Sequence, residues 1–473
     1  MQKMTTKIIA SIILIAGVLI LSGCGCQKEA SRKYDLALEV WGPLDSRESL
    51  ADSIKNFRAI NPNISKIEYK RIPVETYKKE LTDALASGQG PDIFMIHNDW
   101  LPSFSNKIVP APEAQGIIRL INEQKLRESF VDTVADDFLD QGRVWAVPLS
   151  VDSLGLFYNK DLFNQAGIVA PPKNWNEFIQ DVRRLKEVNA AGEITRAGAA
   201  IGTAYNINRS TDILSLIMLQ NNTEMADKDG RPTFDKTVSL EGKSFSPGEA
   251  ALNFYTEFAN SGSLKYTWNP SEYLHNSLDA FSEGSVAMMF NYSWHRKTIA
   301  DKAPKLNFDV ASVPQFENSS KVNLANYWGY AVAKNKIVDS SSRQTASVSN
   351  EIRIAEAWQF LTYLTTKPDS ELLANTKTGV GKQADLNFDP AKNYLEKSGE
   401  PAARRDLIEM QKSDPRIGVF AADNLIAKSW KRVDPDSLEV IFAEMINRVN
   451  RGEATVTEAI RTASQRAARL TTQ

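Results

Sequence analysis

Short apolar strands alternate with amphipathic helices at the start of the folded body of this chain, and this alternation limits the possible folds more than any other feature. Three stretches have the length and apolar content of strands: Leu36–Trp41, 67–72 and Pro91–Ile96. Between them, apolar residues recur at helical spacing in 50–57 and 77–85. A βαβαβ order winds right-handed into a parallel sheet and binds ligands at the carboxyl ends of its strands. The sequence therefore predicts an α/β fold with a ligand site at that edge.

The same alternation restarts near Asp152 and continues to the end of the chain. Further strands are predicted at 154–158, 307–313 and 327–333, and further helices at 175–188, 357–364 and 438–449. The apolar stripe of 438–449 is predicted to be core, and Thr455 with Glu458 forms a capping box for the last helix. Removing the first 23 of 473 residues leaves 450, which exceeds the size at which a single core stops growing. At least two domains are therefore expected.

The N-terminus has the features of an export signal. Lys3 and Lys7 precede an apolar run that is too short to span a bilayer and ends in Leu21-Ser22-Gly23-Cys24. This ending resembles the lipobox of bacterial lipoproteins, which implies that Cys24 receives a diacylglycerol and becomes the first mature residue. We therefore predict a signal peptide at 1–23, a lipid-anchored tether at 24–33, and a body held on the outer face of the cell membrane. An uncleaved anchor, the alternative, would leave the body on the same side.

Composition and motif spacing argue against several classes of function. A net charge of −2 without a basic run is unsuited to a nucleic-acid surface. Cys24 and Cys26 both lie in the tether, so the body is expected to have no internal disulfide. The three histidines show no metal or triad spacing, Gly242-Lys243-Ser244 lacks the upstream glycine of a phosphate loop, and Asp227–Gly230 lacks the downstream glutamate of an EF-hand. No catalytic residue, metal or cofactor is predicted.

Several segments, in order along the chain, resemble the extracellular solute-binding proteins of bacterial ABC importers, in particular the sugar-binding group with the maltodextrin-binding proteins. The resemblance rests on Leu85–Phe94, Trp145–Asp152, Leu156–Phe163, Ala166–Ile168, Pro171–Trp175, Phe281–Met289, Asn291–Trp294, Asn326–Val332 and Arg451–Glu453. Their order and spacing cover the whole body behind a lipoprotein signal. This resemblance carries the expectations about lobes, ligand and partners that follow.

The resemblance implies a two-lobe periplasmic-binding-protein fold in which each lobe is a largely parallel sheet flanked by helices. The lobes would be joined by crossing strands and would close on a ligand in the cleft between them. We expect a first lobe of 34–148 plus 307–365 and a second lobe of 149–306 plus 366–473. The implied partners are a mono- or oligosaccharide and an ABC permease, with the protein monomeric, not an enzyme, and in contact with membrane through its lipid only.

A sugar site needs flat aromatic side chains for the C–H face of the ring and planar polar groups for its hydroxyls. The predicted site residues are the aromatics Trp41, Trp100, Trp294, Trp328 and Tyr330 and the polar residues Asn98, Asp99, Asp152 and Asn291. The resemblance implies that Trp294 stacks on the sugar and that Asp99 and Asp152 accept hydrogen bonds from its hydroxyl groups. Asn206 and Asn208 are further candidates of lower rank.

Each of these assignments has an alternative. Trp294 could pack between the lobes, Asp152 could fix the hinge, and Asp99 could simply turn the chain. The chain departs from the maltodextrin binders at Gly418–Asp423, so the ligand need not be a maltodextrin. Two other functions stay open: a non-sugar solute such as a polyamine, which would need a cleft crowded with carboxylates, and a secreted glycoside-active enzyme, which needs only two carboxylates.

Overall fold

A computed structural model of the protein describes residues 34–113, 119–240, 242–269, 276–317, 319–336, 348–368 and 384–471. The predicted signal peptide, the tether and Cys24 lie outside these residues. The described helices are α1 (Arg47–Ile60), α2 (Val74–Ala86), α3 (Leu101–Phe104), α4 (Glu123–Ser129), α5 (Asp132–Phe138), α6 (Lys160–Gln165), α7 (Trp175–Leu185), α8 (Ser210–Gln220), α9 (Pro247–Thr256), α10 (Ser277–Glu283), α11 (His295–Lys302), α12 (Asn350–Thr365), α13 (Pro390–Ser398), α14 (Arg405–Gln411), α15 (Gly418–Asp423), α16 (Pro435–Asn450) and α17 (Val456–Leu470). Within the described ranges, none of these helices combines the length and apolar character needed to cross a membrane.

The strands form two five-stranded sheets, a three-stranded sheet and two short hairpins. They are β1 (Leu36–Gly42), β2 (Ile64–Arg71), β3 (Ile93–His97), β4 (Ile108–Val109), β5 (Leu139–Asp140), β6 (Arg143–Val144), β7 (Asp152–Ser153), β8 (Gly155–Asn159), β9 (Glu187–Val188), β10 (Ile194–Ala200), β11 (Val238–Leu240), β12 (Lys243–Phe245), β13 (Val286–Asn291), β14 (Phe308–Ser312), β15 (Asn323–Asn326), β16 (Trp328–Ala333) and β17 (Ala427–Lys428). The large sheets have the orders β2-β1-β3-β16-β4 and β14-β8-β13-β10-β9. Each is the centre of one lobe.

The first lobe forms because the early βαβαβ segment folds as its periodicity predicts. β1 runs parallel to both β2 and β3. Helix α1 begins at Ser46, whose side chain accepts a hydrogen bond from the backbone N–H of Ser49, and it buries Leu50, Phe57 and Ile60. The carboxyl ends of β1 and β3 therefore lie side by side at one edge of the sheet.

The second lobe has the same kind of edge at the ends of β10 and β13. These two strands are parallel, with Ala200 opposite Met289. Helix α7 packs closely on β10, since a Cβ atom on Gly198 would lie 2.4 Å from the carbonyl oxygen of Val182. Glycine at this position lets the helix approach the sheet and fixes the loop that follows β10.

Three short strands connect the lobes and form a sheet of their own in the order β17-β15-β7. The two-lobe α/β prediction is confirmed, but the sheets are mixed rather than largely parallel. β16 is antiparallel to β3, and β8 is antiparallel to β13. The physical reason is the direction of entry: a strand that arrives from the other lobe starts at the cleft edge, where the parallel strands end.

The two hydrophobic cores divide the chain differently from the expected boundaries in two places. β14 pairs with β8 along its whole length, from Phe308 opposite Asn159 to Ser312 opposite Gly155, so it belongs to the second lobe. Residues 391–408 contribute to the first core, because α13 packs on α1. The chain thus crosses between the lobes at three points. The expected division into consecutive blocks missed that residues 384–411 belong to the first lobe.

Candidate ligand-binding site

The cleft lies where the carboxyl ends of β1 and β3 face those of β10 and β13, beside the crossing strands. The two lobes meet across it through two ion pairs. Arg432 Nη1 lies 3.6 Å from Asp99 Oδ2, and Lys78 Nζ lies 2.6 Å from Asp436 Oδ2. The cleft is therefore bounded by polar groups from both lobes, as expected for the edge at which α/β sheets bind ligands.

The first-lobe wall combines an aromatic cluster with a charged pair. Trp328 is partly exposed and meets Trp100 edge to face, with 5.1 Å between ring centroids, while Trp100 is buried and stacks on Phe104. Asp99 Oδ1 lies 2.6 Å from His97 Nδ1. Burial alone would lower the pKa of His97, but the charge and hydrogen bond of Asp99 outweigh it and raise that pKa. Trp328 thus offers a ring to the cleft beside a fixed Asp99.

Asn98 belongs to a buried network behind this wall. Its Nδ2 donates to Asp137 Oδ2 at 3.2 Å, and the same oxygen accepts a hydrogen bond from the Tyr327 hydroxyl at 2.6 Å. Ser429, which follows β17, donates to the other oxygen. Burial raises the pKa of Asp137 to about 6 in spite of these donors. Asn98 therefore ties β3 to the crossing strands.

Asp152, at the start of β7, is buried at the floor of the cleft. Its Oδ1 accepts the backbone N–H of Ser153, and its Oδ2 accepts the backbone N–H and hydroxyl of Ser293 at 2.9 and 2.6 Å. Burial raises its pKa to about 7 against the effect of these bonds. The geometry matches the hinge-fixing alternative, while a carboxylate retains a further acceptor position for a hydroxyl.

The second-lobe wall presents a stacked aromatic pair. Trp294 is partly exposed and lies on Tyr292, with ring centroids 4.7 Å apart and an angle of 17° between the planes. The guanidinium carbon of Arg209 lies 5.4 Å from the Tyr292 centroid and 5.5 Å from that of Trp294. Trp294 immediately precedes α11 and follows β13, so the strand end places its ring in the cleft.

Two predicted site residues are placed elsewhere. Tyr330 is 1% exposed, and its hydroxyl donates to Asp45; it lies two residues beyond Trp328 along β16, deeper in the lobe. Trp41 is 7% exposed, with its Nε1 donating to Glu39 Oε1 at 2.7 Å and Lys70 Nζ 4.1 Å from its ring. Both rings pack within the first lobe and leave little surface for a ligand.

The predicted asparagines stabilise loops of the second lobe. Asn291 Nδ2 donates to Asn208 Oδ1 at 3.3 Å, and Asn291 Oδ1 accepts the backbone N–H of Tyr292. Asn206 Oδ1 accepts a hydrogen bond from Trp268 Nε1 at 3.0 Å. These contacts link the loop after β10 to the end of β13 and so position Arg209 beside Trp294.

Three carboxyl groups gather at the inner end of the cleft, and sequence reasoning missed two of them. Asp45 accepts hydrogen bonds from the hydroxyls of Tyr330 and Tyr394. Glu400 follows α13 and is partly exposed. Burial, with the negative charges of Asp152 and Asp45, raises the pKa of Glu400 to about 8. Near neutral pH Glu400 therefore holds a proton, and a protonated carboxyl group can both donate and accept hydrogen bonds.

These carboxyl groups predict a pH-dependent stability. In the folded protein the pKa of Asp152 is raised from its ordinary value of 3.8 to about 7, and the pKa of Glu400 is raised from 4.5 to about 8. Between these values the folded state keeps protons that the unfolded chain has released, so the stabilisation is complete below about pH 4 and is lost as pH rises through about 7 to 8. We expect the melting temperature to fall by several degrees between about pH 5 and 8.

The variant Glu400→Gln should reduce the fall in melting temperature with pH, because it removes the carboxyl group with the higher pKa of the two. Glu396→Gln is the matched control: Glu396 lies on α13, is exposed, and faces Lys392 on the surface. Thermal melts at a series of pH values would measure the effect. An unchanged slope in Glu400→Gln, or equal effects of the two variants, would contradict this placement of Glu400.

A groove extends from the outer end of the cleft. It has a volume of about 220 Å³ and is walled by Trp145 and the residues around Asn98 in the first lobe and by Lys228–Gly230 and Trp430 in the second. An adjoining concavity of about 410 Å³ shares Asp137 and Trp430 with it. The Asp227–Gly230 turn thus forms part of a wall, and Trp145 is partly exposed here.

Trp430, Arg432 and Arg209 are further cleft residues that the sequence reasoning did not identify. Trp430 stacks on Phe442 with 5.8 Å between centroids, and Arg432 lies over its ring. The available indication was position: Ser429-Trp430-Lys431-Arg432 stands directly before the Asp434-Pro435 start of a helix. That position acquires meaning only once β17 is known to cross between the lobes.

Proteins of known family are similar to this chain in sequence. The model of the family described as bacterial extracellular solute-binding protein matches residues 43–371. A putative binding protein of Brucella abortus (strain 2308) is 24% identical over 314 residues, which is 66% of this chain and 67% of that protein. The multiple sugar-binding protein of Streptococcus mutans serotype c (strain ATCC 700610 / UA159) is 23% identical over 350 residues, 74% of this chain and 76% of that protein.

The fold is also similar to solved structures. The crystal structure of the cyclic alpha-maltosyl-1,6-maltose binding protein from Arthrobacter globiformis superposes with a TM-score of 0.69. It covers 92% of this chain and 99% of its own chain at 17% sequence identity. At this identity the likeness establishes the two-lobe fold and leaves the ligand open.

Proposed function

Because the chain belongs to the bacterial extracellular solute-binding protein family, we propose that it captures a carbohydrate outside the cytoplasm and delivers it to an ABC permease. The protein acts as a monomer that binds its ligand in the cleft and closes around it. It is a binding protein and performs no reaction. Its ligand-contacting residues are Trp294 and Trp328 for the sugar face, with Asp99 and Asp152 for the hydroxyls.

The observation that carries this proposal is the partly exposed Trp294, stacked on Tyr292 at the end of a sheet strand and facing the cleft. A rigid indole presents a flat apolar surface to the C–H face of a sugar ring. Trp328 supplies a second ring on the opposite wall, and carboxyl groups lie beside both. Relatives that are named for sugars add support.

The two alternatives have less support. A polyamine would suit Asp45, Asp152 and Glu400, but Arg209 and Arg432 place positive charge in the same cleft. A glycoside-active enzyme needs one carboxyl acid and one carboxylate at the bond to be cleaved. The matched relatives are named as binding proteins.

Incubation of the protein with a panel of mono- and oligosaccharides tests the function. A binder returns the cognate sugar intact and melts at a higher temperature, since ligand at a hundredfold excess over Kd adds about 2.7 kcal/mol of stability. Chromatography of the recovered sugar and a thermal melt measure the two outcomes. Cleavage products would favour the enzyme, and a melting shift with spermidine but with no sugar would favour the polyamine alternative.

The proposal includes a lipid anchor at Cys24, which rests on the lipobox alone. Cys24→Ala should move the protein from the membrane fraction to the supernatant, because the variant lacks the sulfur that would carry the diacylglycerol. The two acyl chains of that group are what makes the attachment stable. Cys26→Ala is the matched control and should stay in the membrane fraction. Retention of the Cys24→Ala protein in membranes, detected after fractionation, would overturn the anchor and leave the binding function untouched.

A further inference from the structure

The second-lobe wall has more hydrogen-bond donors than acceptors. Within the described part of the chain, the side chain of Arg209 makes neither a hydrogen bond nor an ion pair, and it contacts the rings of Tyr292 and Trp294. Its Nε is buried without a partner, and so are Nε of Arg432, Nε1 of Trp430 and the two ring nitrogens of His295, one of which is a donor in the neutral imidazole. Buried donors in folded proteins are nearly always paired. What this wall needs from a ligand is acceptor atoms.

The nearby acidic groups do not fill that need. The charge of Arg209 favours a lower pKa for Asp152, but burial raises that pKa to about 7. The two oxygens of Asp152 already accept hydrogen bonds from Ser153 and Ser293. Asp212 accepts the hydroxyl of Tyr292. Burial raises the pKa of Glu439 even though both arginines act on it. Arg432 is 3.6 Å from Asp99 through one Nη, which leaves its Nε unengaged.

Both guanidinium groups act on one region of the cleft. Arg209 and Arg432 each oppose the rise in the pKa values of Tyr292 and Glu439. His295 lies beside Trp294, and burial with the charge of Arg209 lowers its pKa to about 4, so at physiological pH its ring is neutral and donates through one nitrogen. Arg209 and the neutral imidazole of His295 thus lie against the ring of Trp294, while Arg432 lies over the ring of Trp430 in the same wall.

Accepting the proposed carbohydrate function, we propose that the ligand is an anionic sugar whose carboxylate or phosphate group binds to Arg209 while its ring stacks on Trp294. A neutral sugar offers hydroxyls, which bring a donor with every acceptor, whereas an ionised carboxylate or phosphate brings acceptors only. Arginine pairs with both groups through two parallel hydrogen bonds. Contact with the stacked rings of Tyr292 and Trp294 holds the guanidinium group in place before the ligand arrives.

Titration with matched sugars tests the inference. The probes are glucose, glucuronate and glucose 6-phosphate, and galactose, galacturonate and galactose 6-phosphate, which differ within each set only at C6. The wild-type chain should bind one anionic member at least about tenfold tighter than its neutral counterpart. Arg209→Gln should lose that preference, and Arg209→Lys should restore part of it. The carboxylate and phosphate arms identify the group.

Arg461→Gln is the matched control, because Arg461 is exposed on α17 and its loss changes net charge by the same amount. It should retain the preference, and all variants should melt like the wild type. Equal binding of neutral and anionic sugars, or a preference that survives Arg209→Gln, overturns the inference and leaves carbohydrate capture standing. Failure of every probe in both sets also overturns the inference, and the panel of mono- and oligosaccharides then tests the proposed function separately.

Discussion

Trp294→Ala should weaken binding of the cognate sugar by about 2 kcal/mol or more, roughly 30-fold, in a calorimetric titration. The indole is partly exposed and held at one angle by Tyr292 beneath it. Its removal takes away a flat surface that water does not replace, and it also leaves Arg209 without one of its two aromatic contacts. Trp294→Phe retains a smaller ring and should keep part of the affinity.

The control for this prediction is Tyr266→Ala. Tyr266 is a partly exposed aromatic residue of the same lobe that contacts Lys186 beside α7, away from the end of β13. It should bind sugar like the wild type. Wild-type affinity in a folded Trp294→Ala protein would show that Trp294 packs between the lobes and that the ligand lies elsewhere.

Asp92→Ala should destabilise the protein by about 3–5 kcal/mol, because it leaves the buried Arg353 without its ion-pair partner. Asp92 and Arg353 are 2% and 3% exposed, and Oδ1 of Asp92 lies 3.4 Å from Nη1 of Arg353. Oδ2 accepts the backbone N–H of Glu39 and lies 2.9 Å from Lys336 Nζ. One carboxylate therefore links β1, the start of β3 and α12.

Urea unfolding measures this effect, with Asp83→Ala as the control. Asp83 is exposed on α2 and pairs with Lys79 one turn earlier, so its loss should cost no more than about 0.5 kcal/mol. Sugar affinity should be unchanged in both folded variants, since Asp92 lies at the end of β3 opposite the cleft. Equal unfolding midpoints for the two variants would show that the buried network contributes little.

Local periodicity predicted the elements of the fold well. The strand expected at Leu36–Trp41 is Leu36–Gly42, the capping box of Thr455 and Glu458 is present, and Leu438 and Phe442 are buried. Periodicity reports which face of an element is apolar, and that is enough to find helices and strands. It does not report direction of entry, so the antiparallel β8 and β16 and the lobe of β14 were missed.

The candidate site was less predictable for the same reason. Trp294 follows a strand that the sequence marks, Asp152 stands where the alternation restarts, and the structure places both at the cleft. Arg209, Glu400 and Trp430 reach it from a loop and from segments of the third crossing. Their proximity depends on tertiary pairing, such as Ser150 opposite Ala402, that no short pattern encodes. Trp41 and Tyr330 were predicted to contact the ligand and instead pack within the first lobe, because position along a strand does not distinguish a ring in the cleft from one beneath it.

Small-angle X-ray scattering with and without the cognate sugar tests most directly the central claim, capture by closure of two lobes. Arg432–Asp99 and Lys78–Asp436 join the lobes across the cleft in the arrangement described, so the sugar-bound protein should match its scattering profile. Without sugar, the radius of gyration should be larger, because binding shifts the population toward the state with contacts to both lobes. Identical profiles at saturation, with binding established by calorimetry, would contradict the claim.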